Sequence, residues 1–470
     1  MTTGRRPRRA DRLRGPGEIL LVSCYELGHQ PVAIATALAE LRRAGFDPAA
    51  MDVSVDRLDE EALGRARLVA VSVPMHTALR LGVRVADRAP ESAHVSFFGI
   101  YAELNAAHLL ARHADSVIGA ESDGPLRALA EALEAGRPPE SVGGVRTAAA
   151  VPGAVTQKIR PSVPSRAGLP VLDRYAKLEI GGELRPVASV EASRGCKHLC
   201  RHCPIVPVYR GRFVAVPREV VLADIEQQVA AGARHVTFGD PDFLNGPTHA
   251  VRIARELHER WPELTFDATI KVEHLLLHRD LLPELARNGC LFIVSAVESL
   301  SDRVLLALRK GHTAAEVPEA LRAVREAGID LRPTLLPYTP WTELSDLPAL
   351  FEFAERHDLV DQIDPVQYTL RLLIPPGSAV LEGDEPRPWL GTLEPDQFGW
   401  TWTHPDPRVD DLWRLSSRLA ARGAEQGEDP LATFAALRDL AFGALGRPSS
   451  AARPVRKRGK PPRLTEPWFC

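Results

Sequence analysis

Three cysteines lie close together near the middle of the chain, at Cys196, Cys200 and Cys203, in the pattern C-x3-C-x2-C. Thiolates with this spacing could bind three of the four irons of a cubane iron–sulfur cluster, whereas a cluster closed for electron transfer usually takes four cysteines. The fourth iron would keep an open coordination position, and an open position is where a bound metal does chemistry. The spacing therefore indicates a [4Fe-4S] cluster that can bind a reactant.

Two other uses of these cysteines compete with the cluster. A zinc ion could be held by the three thiolates together with His198 or His202. Structural zinc sites more often combine two C-x2-C pairs, and the chain has no second pair. A disulfide framework is typical of small domains in an oxidising compartment, whereas this chain has 470 residues and six cysteines. The cluster is the favoured interpretation, and zinc is the alternative.

The cysteine motif, preceded by Ser193-Arg194-Gly195, resembles that of the radical S-adenosylmethionine (radical SAM) superfamily. The resemblance implies that S-adenosylmethionine chelates the fourth iron through its amino and carboxylate groups. It also implies that one electron from the cluster cleaves the sulfonium and releases a 5′-deoxyadenosyl radical. An external electron donor of the flavodoxin or ferredoxin type would then be a partner.

The residues before the motif, 17–136, alternate short apolar runs with helical patterns. The runs are Ile19–Val22, Met51–Val55, Leu68–Val73, His94–Phe98 and Ser116–Ile118. Strand–helix alternation at this spacing predicts right-handed βαβ units in an α/β fold with a doubly wound, Rossmann-like parallel sheet. Ligands of such sheets bind at the carboxyl ends of the strands.

Residues 137–185 are rich in Pro, Gly and Val and are interpreted as a linker. The alternation returns over 186–380, with predicted strands at Val187–Ala192, His235–Phe238, Leu264–Ala268, Cys290–Ala296, Leu331–Leu336 and Ile363–Leu370. Six units predict a partial (β/α)6 TIM-like barrel, with the cysteines in the loop after the first strand, at the carboxyl face. A mostly helical or irregular extension is expected over 381–446, and disordered or flexible tails over 1–16 and 447–470.

Polar side chains at the predicted strand ends are candidates for binding S-adenosylmethionine. His202 precedes the third cysteine, where radical SAM relatives usually have an aromatic ring beside the adenine. Asp240 ends the second strand, where relatives hold the amino group of the ligand, and a carboxylate suits an ammonium. The alternative is that Asp240 only belongs to a turn or helix cap. Asp267 and Lys271, after the third strand, could contact the ribose or the substrate.

Glu298 and Ser299 close the fourth predicted strand, in a sequence that resembles the "ES" motif of cobalamin-type radical SAM members. A buried glutamate without a partner is costly. Glu298 is therefore expected to face either the ligand or an arginine.

The amino-terminal region resembles the cobalamin-binding domain that precedes many radical SAM cores. Gly99 and Gly119 lie in turns of the kind found there, Ser72 lies where the family's second motif falls, and small residues let a flat corrin approach the backbone. The D-x-H-x-x-G motif that supplies an axial histidine to cobalt is absent, and His29 is a candidate substitute. Relatives bind cobalamin without that histidine or keep the domain without the cofactor, so the sequence leaves cobalamin binding open.

The order of motifs from Gly195 through Ser378, with the tail from Leu464 to Cys470, is similar to the CUAEP/CCAEP-tail radical SAM (seleno)protein family. In that family the tail continues with Cys or selenocysteine and then Ala-Glu-Pro. The expectation is that Cys470 precedes a selenocysteine codon taken as a stop, and the alternative is that it is an ordinary last residue. The gene sequence beyond codon 470 decides between them.

Composition and charge narrow the partners. The net charge of −3 gives no reason to expect nucleic acid or an anionic membrane. No apolar run is long enough to span a bilayer, and six cysteines in 470 residues favour the reducing cytoplasm.

The leading hypothesis is a cytoplasmic radical SAM enzyme that abstracts hydrogen from an unactivated carbon of an unidentified substrate. Methyl transfer is expected if cobalamin binds, and rearrangement, ring formation or sulfur or selenium chemistry if it does not. The rival from another class is a non-catalytic iron–sulfur redox protein. Formation of 5′-deoxyadenosine by the reduced protein separates the two.

Overall fold

The structure is a computed structural model that describes residues 13–150, 161–448 and 461–466. It divides into two compact units: the chain up to Tyr175 together with Glu219–Gly232, and Ala176–Arg218 with the chain from Ala233 onward. The predictions made for residues 1–12, 449–460 and 467–470, including the expectation about Cys470, lie outside the described residues.

The first unit is built on a sheet that has six strands within the described residues, in the order β2-β1-β3-β4-β5-β6. Strands β1 to β5 are parallel, and β6 pairs antiparallel with β5. This is the doubly wound sheet that the sequence predicts, and β6 comes from the stretch interpreted as a linker. The strands are β1 (Ile19–Ser23), β2 (Ala49–Asp52), β3 (Leu68–Ser72), β4 (His94–Phe98), β5 (Ser116–Ile118) and β6 (Val145–Arg146); the helices are α1 (Val32–Arg43), α2 (Glu60–Arg65), α3 (His76–Ala86), α4 (Ile100–Leu104), α5 (Ala106–Arg112) and α6 (Asp123–Glu134).

The central strands of this sheet are apolar along almost their whole length. All five residues of β1 and of β3 are buried. A parallel strand covered on both faces needs apolar side chains on both faces, which explains the continuous runs in the sequence. In β1 and β3 a polar residue enters only at the carboxyl end, where Ser23 and Ser72 are paired in register.

The second unit is built on a seven-stranded sheet of described residues, in the order β14-β13-β12-β11-β8-β7-β17. Strands β8, β11, β12, β13 and β14 are parallel, while β7 and β17 are antiparallel additions at one side. The strands up to β14 are β7 (Lys177–Ile180), β8 (Glu183–Val190), β9 (Ser193–Gly195), β10 (Phe213–Ala215), β11 (His235–Phe238), β12 (Thr265–Thr269), β13 (Cys290–Glu298) and β14 (Asp330–Leu335).

Helices follow the parallel strands as expected for βα units. They are α7 (Ile205–Tyr209), α8 (Arg218–Ala230), α9 (Pro247–Arg260), α10 (Val272–Leu277), α11 (Leu282–Arg287), α12 (Asp302–Ala307), α13 (Glu316–Glu326) and α14 (Asp346–Arg356). From Glu219 onward, α8 is part of the first unit.

The predicted sixth barrel strand, Ile363–Leu370, is replaced by a short 3-10 helix over Pro365–Thr369. Pro365 has no N–H to donate to a ladder, and the sixth position is marked only by an isolated parallel bridge between Tyr338 and Arg371. Five parallel strands therefore form a half-barrel. The α/β class is confirmed, while the strand count differs from the prediction.

The carboxyl-terminal extension contains a hairpin and two helices. The elements are β15 (Leu390–Glu394), β16 (Gly399–Trp402), α15 (Pro407–Gln426), α16 (Pro430–Gly443) and β17 (Arg463–Leu464). Helix α15 begins after Asp406, whose carboxylate accepts the N–H of Arg408, and ends at Gly427 with φ of 64°, as N-cap and C-cap preferences require. The sequence predicts a flexible tail over 447–470, whereas β17 within it pairs with β7. No helix in the described part of the chain is long and apolar enough to cross a bilayer.

A two-stranded antiparallel ribbon, β9 with β10, frames the loop that carries the three cysteines. Gly195 begins this loop with φ of 74°, and a Cβ atom there would overlap Tyr209 and lie 2.5 Å from the carbonyl oxygen of Arg212. Only glycine avoids both the conformational strain and the overlap. Gly195 therefore sets the path of the chain into Cys196.

We predict that Gly195→Ala prevents assembly of the cluster. The matched control is Gly328→Ala, because Gly328 also has a positive φ of 81° but has no atom within 4 Å of the position that a Cβ would take. The control should lose only about 1–2 kcal/mol of unfolding free energy, the cost of a left-handed residue, and should keep its acid-labile sulfide. Urea unfolding and sulfide analysis of both variants measure this, and a Gly195→Ala protein with wild-type sulfide content contradicts the prediction.

Candidate active site

The three cysteines lie in a compact loop directly after β9. Cys196 and Cys200 are buried, Cys203 is partly exposed, and all three are free thiols. The N–H of Cys203 donates to the carbonyl of Cys200 at 3.1 Å, which closes a turn ahead of α7. Burial raises the pKa of Cys203 to about 12, so a bound cation is needed to hold this sulfur as a thiolate.

The spacing of the sulfurs distinguishes zinc from a cluster. Ligand atoms around one zinc lie about 3.3–3.8 Å apart, given Zn–S and Zn–N distances of about 2.3 and 2.1 Å. Within the described chain, no trio drawn from Cys196, Cys200, Cys203, His198 and His202 has its ligand atoms all within 4.8 Å of one another. In a cubane each thiolate binds a different iron, so wider spacing is required. Three free thiols in one loop suit the cluster, and the described structure holds no preassembled zinc set among these five residues.

A fourth thiolate ligand is absent from the described part of the second unit. Cys290 is the one further cysteine there, and it begins β13 while Glu298 ends it. At a rise of about 3.3 Å per residue, Cys290 is roughly 26 Å from the carboxyl edge along the strand. The fourth iron of a cluster at this loop would therefore be open to a reactant.

Asp240 fixes the approach to the cysteine loop. Its carboxylate accepts the N–H of Ala192 at 2.8 Å and the hydroxyl of Ser193 at 2.5 Å. Complete burial raises the pKa of Asp240 to about 7 against the opposing effect of these hydrogen bonds. Both oxygens thus hold Ala192 and Ser193, where the chain enters β9. Binding of S-adenosylmethionine by Asp240 stays a prediction.

Glu298 ends β13 in a strained backbone conformation with φ of 64°. Its Oε1 lies 3.2 Å from Lys310 Nζ and 3.2 Å from His202 Nε2. Burial alone would raise the pKa of Glu298, but the Lys310 ammonium and His202 lower it to about 2, so the carboxylate is ionised. The sequence analysis expected a ligand or an arginine; the structure provides a lysine and a histidine beside the cysteines. Strain of this kind accumulates at functional sites.

The turn at Gly311 lies against the start of α10. Lys271 Nζ is 3.1 Å from Glu273 Oε2, and a Cβ at Gly311 would overlap that carboxylate. His312 is buried, and neither ring nitrogen has a hydrogen-bond partner in the described structure. Burial, followed by the charges of Lys310 and Lys271, lowers the pKa of His312 to about 4. A neutral buried imidazole without partners fits a polar ligand that would satisfy it.

Asp267 and Ser299 have local partners. Asp267 lies within β12 rather than after it, and its Oδ1 accepts from Thr237 Oγ1 at 2.6 Å and is 2.9 Å from His235 Nε2. Ser299 Oγ accepts the N–H of Ser301 at 3.1 Å. Contacts of Asp267 with ribose or substrate, and of Ser299 with a ligand, stay predictions.

In the first unit, Ser72, Gly99 and Gly119 lie at the carboxyl edge of three neighbouring strands. Ser72 ends β3, while Gly99 and Gly119 directly follow β4 and β5. The N–H of Gly99 donates to the carbonyl of Ile118 at 3.2 Å. These three positions therefore share one edge of the sheet, while their contact with corrin stays a prediction.

Contacts within the protein explain why positions 99 and 119 are both glycine. Gly99 has φ of 112°, and a Cβ there would lie 3.1 Å from the Val73 carbonyl oxygen, whereas a Cβ at Gly119 would overlap the Glu103 carboxylate. The hydroxyl of Ser72 is different, because it is buried and has no hydrogen-bond partner in the described structure. A ligand at this edge would satisfy that hydroxyl.

Sequence reasoning missed three residues that support the site. Ser193 donates to Asp240, the fully buried Asn245 accepts the N–H of Lys197 at 3.1 Å, and Lys310 pairs with Glu298. Only Lys310 carried a usable signal, because it lies in the turn after α12, the helix that follows the strand ending in Glu298, and a lysine is a natural counter-ion for a buried glutamate. Ser193 and Asn245 act through contacts between distant parts of the chain.

Comparisons with known proteins agree with this architecture. Residues 190–350 match the family model of the radical SAM superfamily. The tRNA-2-methylthio-N(6)-dimethylallyladenosine synthase of Haemophilus influenzae (strain PittEE) is 28% identical over 178 residues, which cover 35% of this chain and 36% of that protein. The chain thus spans about a third of the length of the curated relatives it matches.

Two solved structures share the fold over most of the chain. The radical S-adenosylmethionine methyltransferase TsrM from Kitasatospora setae is 20% identical with a TM-score of 0.61, covering 72% of this chain and 71% of TsrM. The cobalamin-dependent S-adenosylmethionine radical enzyme OxsB is 15% identical with a TM-score of 0.65, covering 86% of this chain and 66% of OxsB. At these identities the likeness establishes the fold.

The family match identifies residues 190–350 as a radical SAM domain, the catalytic domain of enzymes that use a [4Fe-4S] cluster and S-adenosylmethionine. The expectation of a radical SAM domain is confirmed over these residues. TsrM has also been solved with cobalamin and a [4Fe-4S] cluster bound, and this OxsB structure has aqua-cobalamin and S-adenosylmethionine bound.

We predict that changing Cys196, Cys200 and Cys203 together to alanine abolishes the [4Fe-4S] cluster and leaves the fold. The matched control is Cys290→Ala, which removes a buried thiol at the opposite end of β13 and should retain the cluster. Acid-labile sulfide and the charge-transfer absorption after anaerobic reconstitution are the measurements. Wild-type sulfide in the triple variant contradicts the assignment.

We predict that Glu298→Gln weakens binding of S-adenosylmethionine by the reconstituted protein. Loss of a charge-assisted hydrogen bond should cost about 1.5–3 kcal/mol, roughly tenfold to a hundredfold in Kd. Glu343→Gln is a matched surface control, because Glu343 pairs with Arg303 in an exposed position. Titration calorimetry measures the affinity.

Asp240→Asn should also weaken this binding, through the path of the cysteine loop as well as any direct contact. The sulfide content of the Asp240→Asn protein separates the two effects. A disturbed cysteine loop would lower the amount of bound cluster, whereas loss of a ligand contact alone would leave it unchanged. Wild-type affinity in both Asp240→Asn and Glu298→Gln would show that neither carboxylate serves the ligand.

Proposed function

We propose that this protein cleaves S-adenosylmethionine reductively at a cluster held by Cys196, Cys200 and Cys203 and uses the resulting radical on an unactivated carbon. The observation that carries the proposal is the set of three free thiols in one loop, beside an ionised glutamate at the carboxyl edge of a half-barrel. When bound, the cluster supplies the electron that releases a 5′-deoxyadenosyl radical.

The residues of the chain supply binding and orientation. Glu298, held by Lys310 and His202, offers an anionic acceptor for the amino or hydroxyl groups of S-adenosylmethionine. The buried ring of His312 is neutral, because burial and the charges of Lys310 and Lys271 lower its pKa. Its two nitrogens offer a ligand one hydrogen-bond donor and one acceptor. Because these groups are buried, their interactions with a ligand are stronger than in water.

We further propose that the first unit binds cobalamin and that the reaction is methyl transfer. The shared fold with TsrM, a methyltransferase solved with cobalamin and a [4Fe-4S] cluster, supports this assignment. The unpartnered hydroxyl of Ser72 at the carboxyl edge of the sheet is the local feature that fits a ligand. An external donor of the flavodoxin or ferredoxin type would supply electrons in the cytoplasm, and the CUAEP/CCAEP-tail family is the subgroup that the motifs favour.

A second candidate is radical chemistry without cobalamin. The methylthio-transferring relatives, which align with about a third of this chain, favour sulfur chemistry. Both glycines at the edge of the first sheet have roles in the protein's own packing, so they are compatible with a domain that lacks the cofactor. Rearrangement or ring formation belongs to the same alternative.

We expect reduced, reconstituted protein to convert S-adenosylmethionine into 5′-deoxyadenosine, and we expect the triple cysteine variant to form none. Chromatography of the quenched reaction with dithionite or reduced flavodoxin measures the product. A protein that holds a complete cluster yet forms no 5′-deoxyadenosine would instead be the non-catalytic redox protein.

If cobalamin binds, we predict that no protein histidine coordinates cobalt. The expected electron paramagnetic resonance spectrum of the Co(II) form lacks nitrogen splitting from the protein, and His29→Ala should leave it unchanged. Splitting that disappears in His29→Ala would assign the axial ligand to His29. A protein that never retains cobalamin after loading would favour the second candidate.

A further inference from the structure

Outside the cysteine set, three side chains from three different elements converge on one point. His198 lies in the cysteine loop, Asp242 follows β11, and His274 lies in α10. Asp242 Oδ2 is 2.9 Å from His274 Nδ1 and 3.4 Å from His198 Nε2. One ligand atom from each residue lies within 4.8 Å of the other two.

The contacts of Asp242 Oδ2 with the two imidazole rings are short but poorly aligned for hydrogen bonds. Asp242 Oδ2, His198 Nε2 and His274 Nδ1 are all buried atoms without a hydrogen-bond partner in the described structure. The two imidazole rings are tilted at 59° with centroids 4.5 Å apart. An Asp–His pair at 2.9 Å normally places the N–H on the line between the atoms. Here that alignment is missing, and Asp242 is completely buried.

The separations match those of ligands around a first-row metal ion. Two ligands at about 2.0–2.1 Å from the metal lie about 2.9 Å apart at a right angle and about 3.4 Å apart at the tetrahedral angle. The observed separations of 2.9 and 3.4 Å fall at these two values. Two histidines with one carboxylate are a set that binds zinc or iron(II) and leaves positions for water or substrate.

The surroundings orient the ligands as in known metal sites. Asp242 Oδ1 accepts the N–H of Leu244 at 3.0 Å, which leaves Oδ2 for the metal. His198 Nδ1 is 3.5 Å from Glu273 Oε2, and that carboxylate in turn contacts Lys271. A carboxylate behind a histidine fixes the ring and raises its basicity as a ligand.

We propose that His198, Asp242 and His274 bind one divalent first-row metal ion, zinc or iron(II), in addition to the cluster. The ligand set contains no cysteine, so metal binding here can be measured separately from the radical reaction proposed above. The ion would join the cysteine loop to the loop after β11 and to α10, and would thereby hold the loop that presents Cys196 and Cys200.

The first test uses Co(II) as a spectroscopic probe on the full chain with Cys196, Cys200 and Cys203 changed to alanine, so that no cluster competes. We expect one Co(II) per chain with a visible d–d spectrum, displaced by Zn(II), and a rise in the unfolding temperature on adding Zn(II). Affinity should fall roughly tenfold or more in Asp242→Asn and in His274→Ala. His278→Ala is the matched control, since its ring is 5.4 Å from that of His274 but it is outside the set.

The second test uses the reconstituted full chain with its cluster. Metal analysis should give the four irons of the cluster, which equal the sulfide content, and one further zinc or iron per chain. Asp242→Asn should lose this further ion, and His278→Ala should keep it. Excess zinc identifies a zinc site, and excess iron an iron(II) site. The proposal is overturned if neither experiment shows one bound metal ion per chain. It is also overturned if Asp242→Asn and His274→Ala are folded and bind the metal as tightly as the unchanged protein.

Discussion

The structure depends on holding three thiolates around one point while a fourth position stays open. The cysteine loop has little regular structure of its own, so its shape is imposed from outside. The ribbon of β9 and β10 closes its ends, Asp240 fixes the chain entering β9, and Asn245 accepts the N–H of Lys197. Because the loop is already ordered, binding of a ligand at the site does not cost the conformational entropy of ordering the loop at each turnover.

Buried charge is the second constraint on the site. Glu298 and Lys310 are both buried, and separating them would leave an uncompensated charge at a cost of several kcal/mol. Such a pair is weak evidence for stability, since its desolvation offsets much of its attraction. Its value lies in presenting a fixed anion beside the cysteines, on a residue whose positive φ turns the carboxylate at the end of β13. The carboxyl edge thus combines strain and charge where a ligand would bind.

Much of the fold could be predicted because its causes are local. Apolar runs bounded by turn residues located β1, β3, β4, β11 and β14 to within a residue or two, since a strand buried on both faces needs such a run. The failure at Ile363–Leu370 has a local cause as well, because the run contains Pro365, which cannot donate to a ladder. The pairing of β17 with β7 had no local signal, as it joins residues nearly 300 positions apart.

By itself, the sequence indicated the candidate cluster ligands, because Cys196, Cys200 and Cys203 lie within one loop and their spacing limits what they can bind. It also determined that polar residues would gather at strand ends. Only the tertiary structure decided which of them meet. It directed Asp240 to Ser193, paired Glu298 with Lys310 rather than with an arginine, and brought His198, Asp242 and His274 to one point. The physical reason is that spacing along a chain fixes local neighbours, whereas contacts between loops are set by the register of parallel strands whose carboxyl ends share one edge.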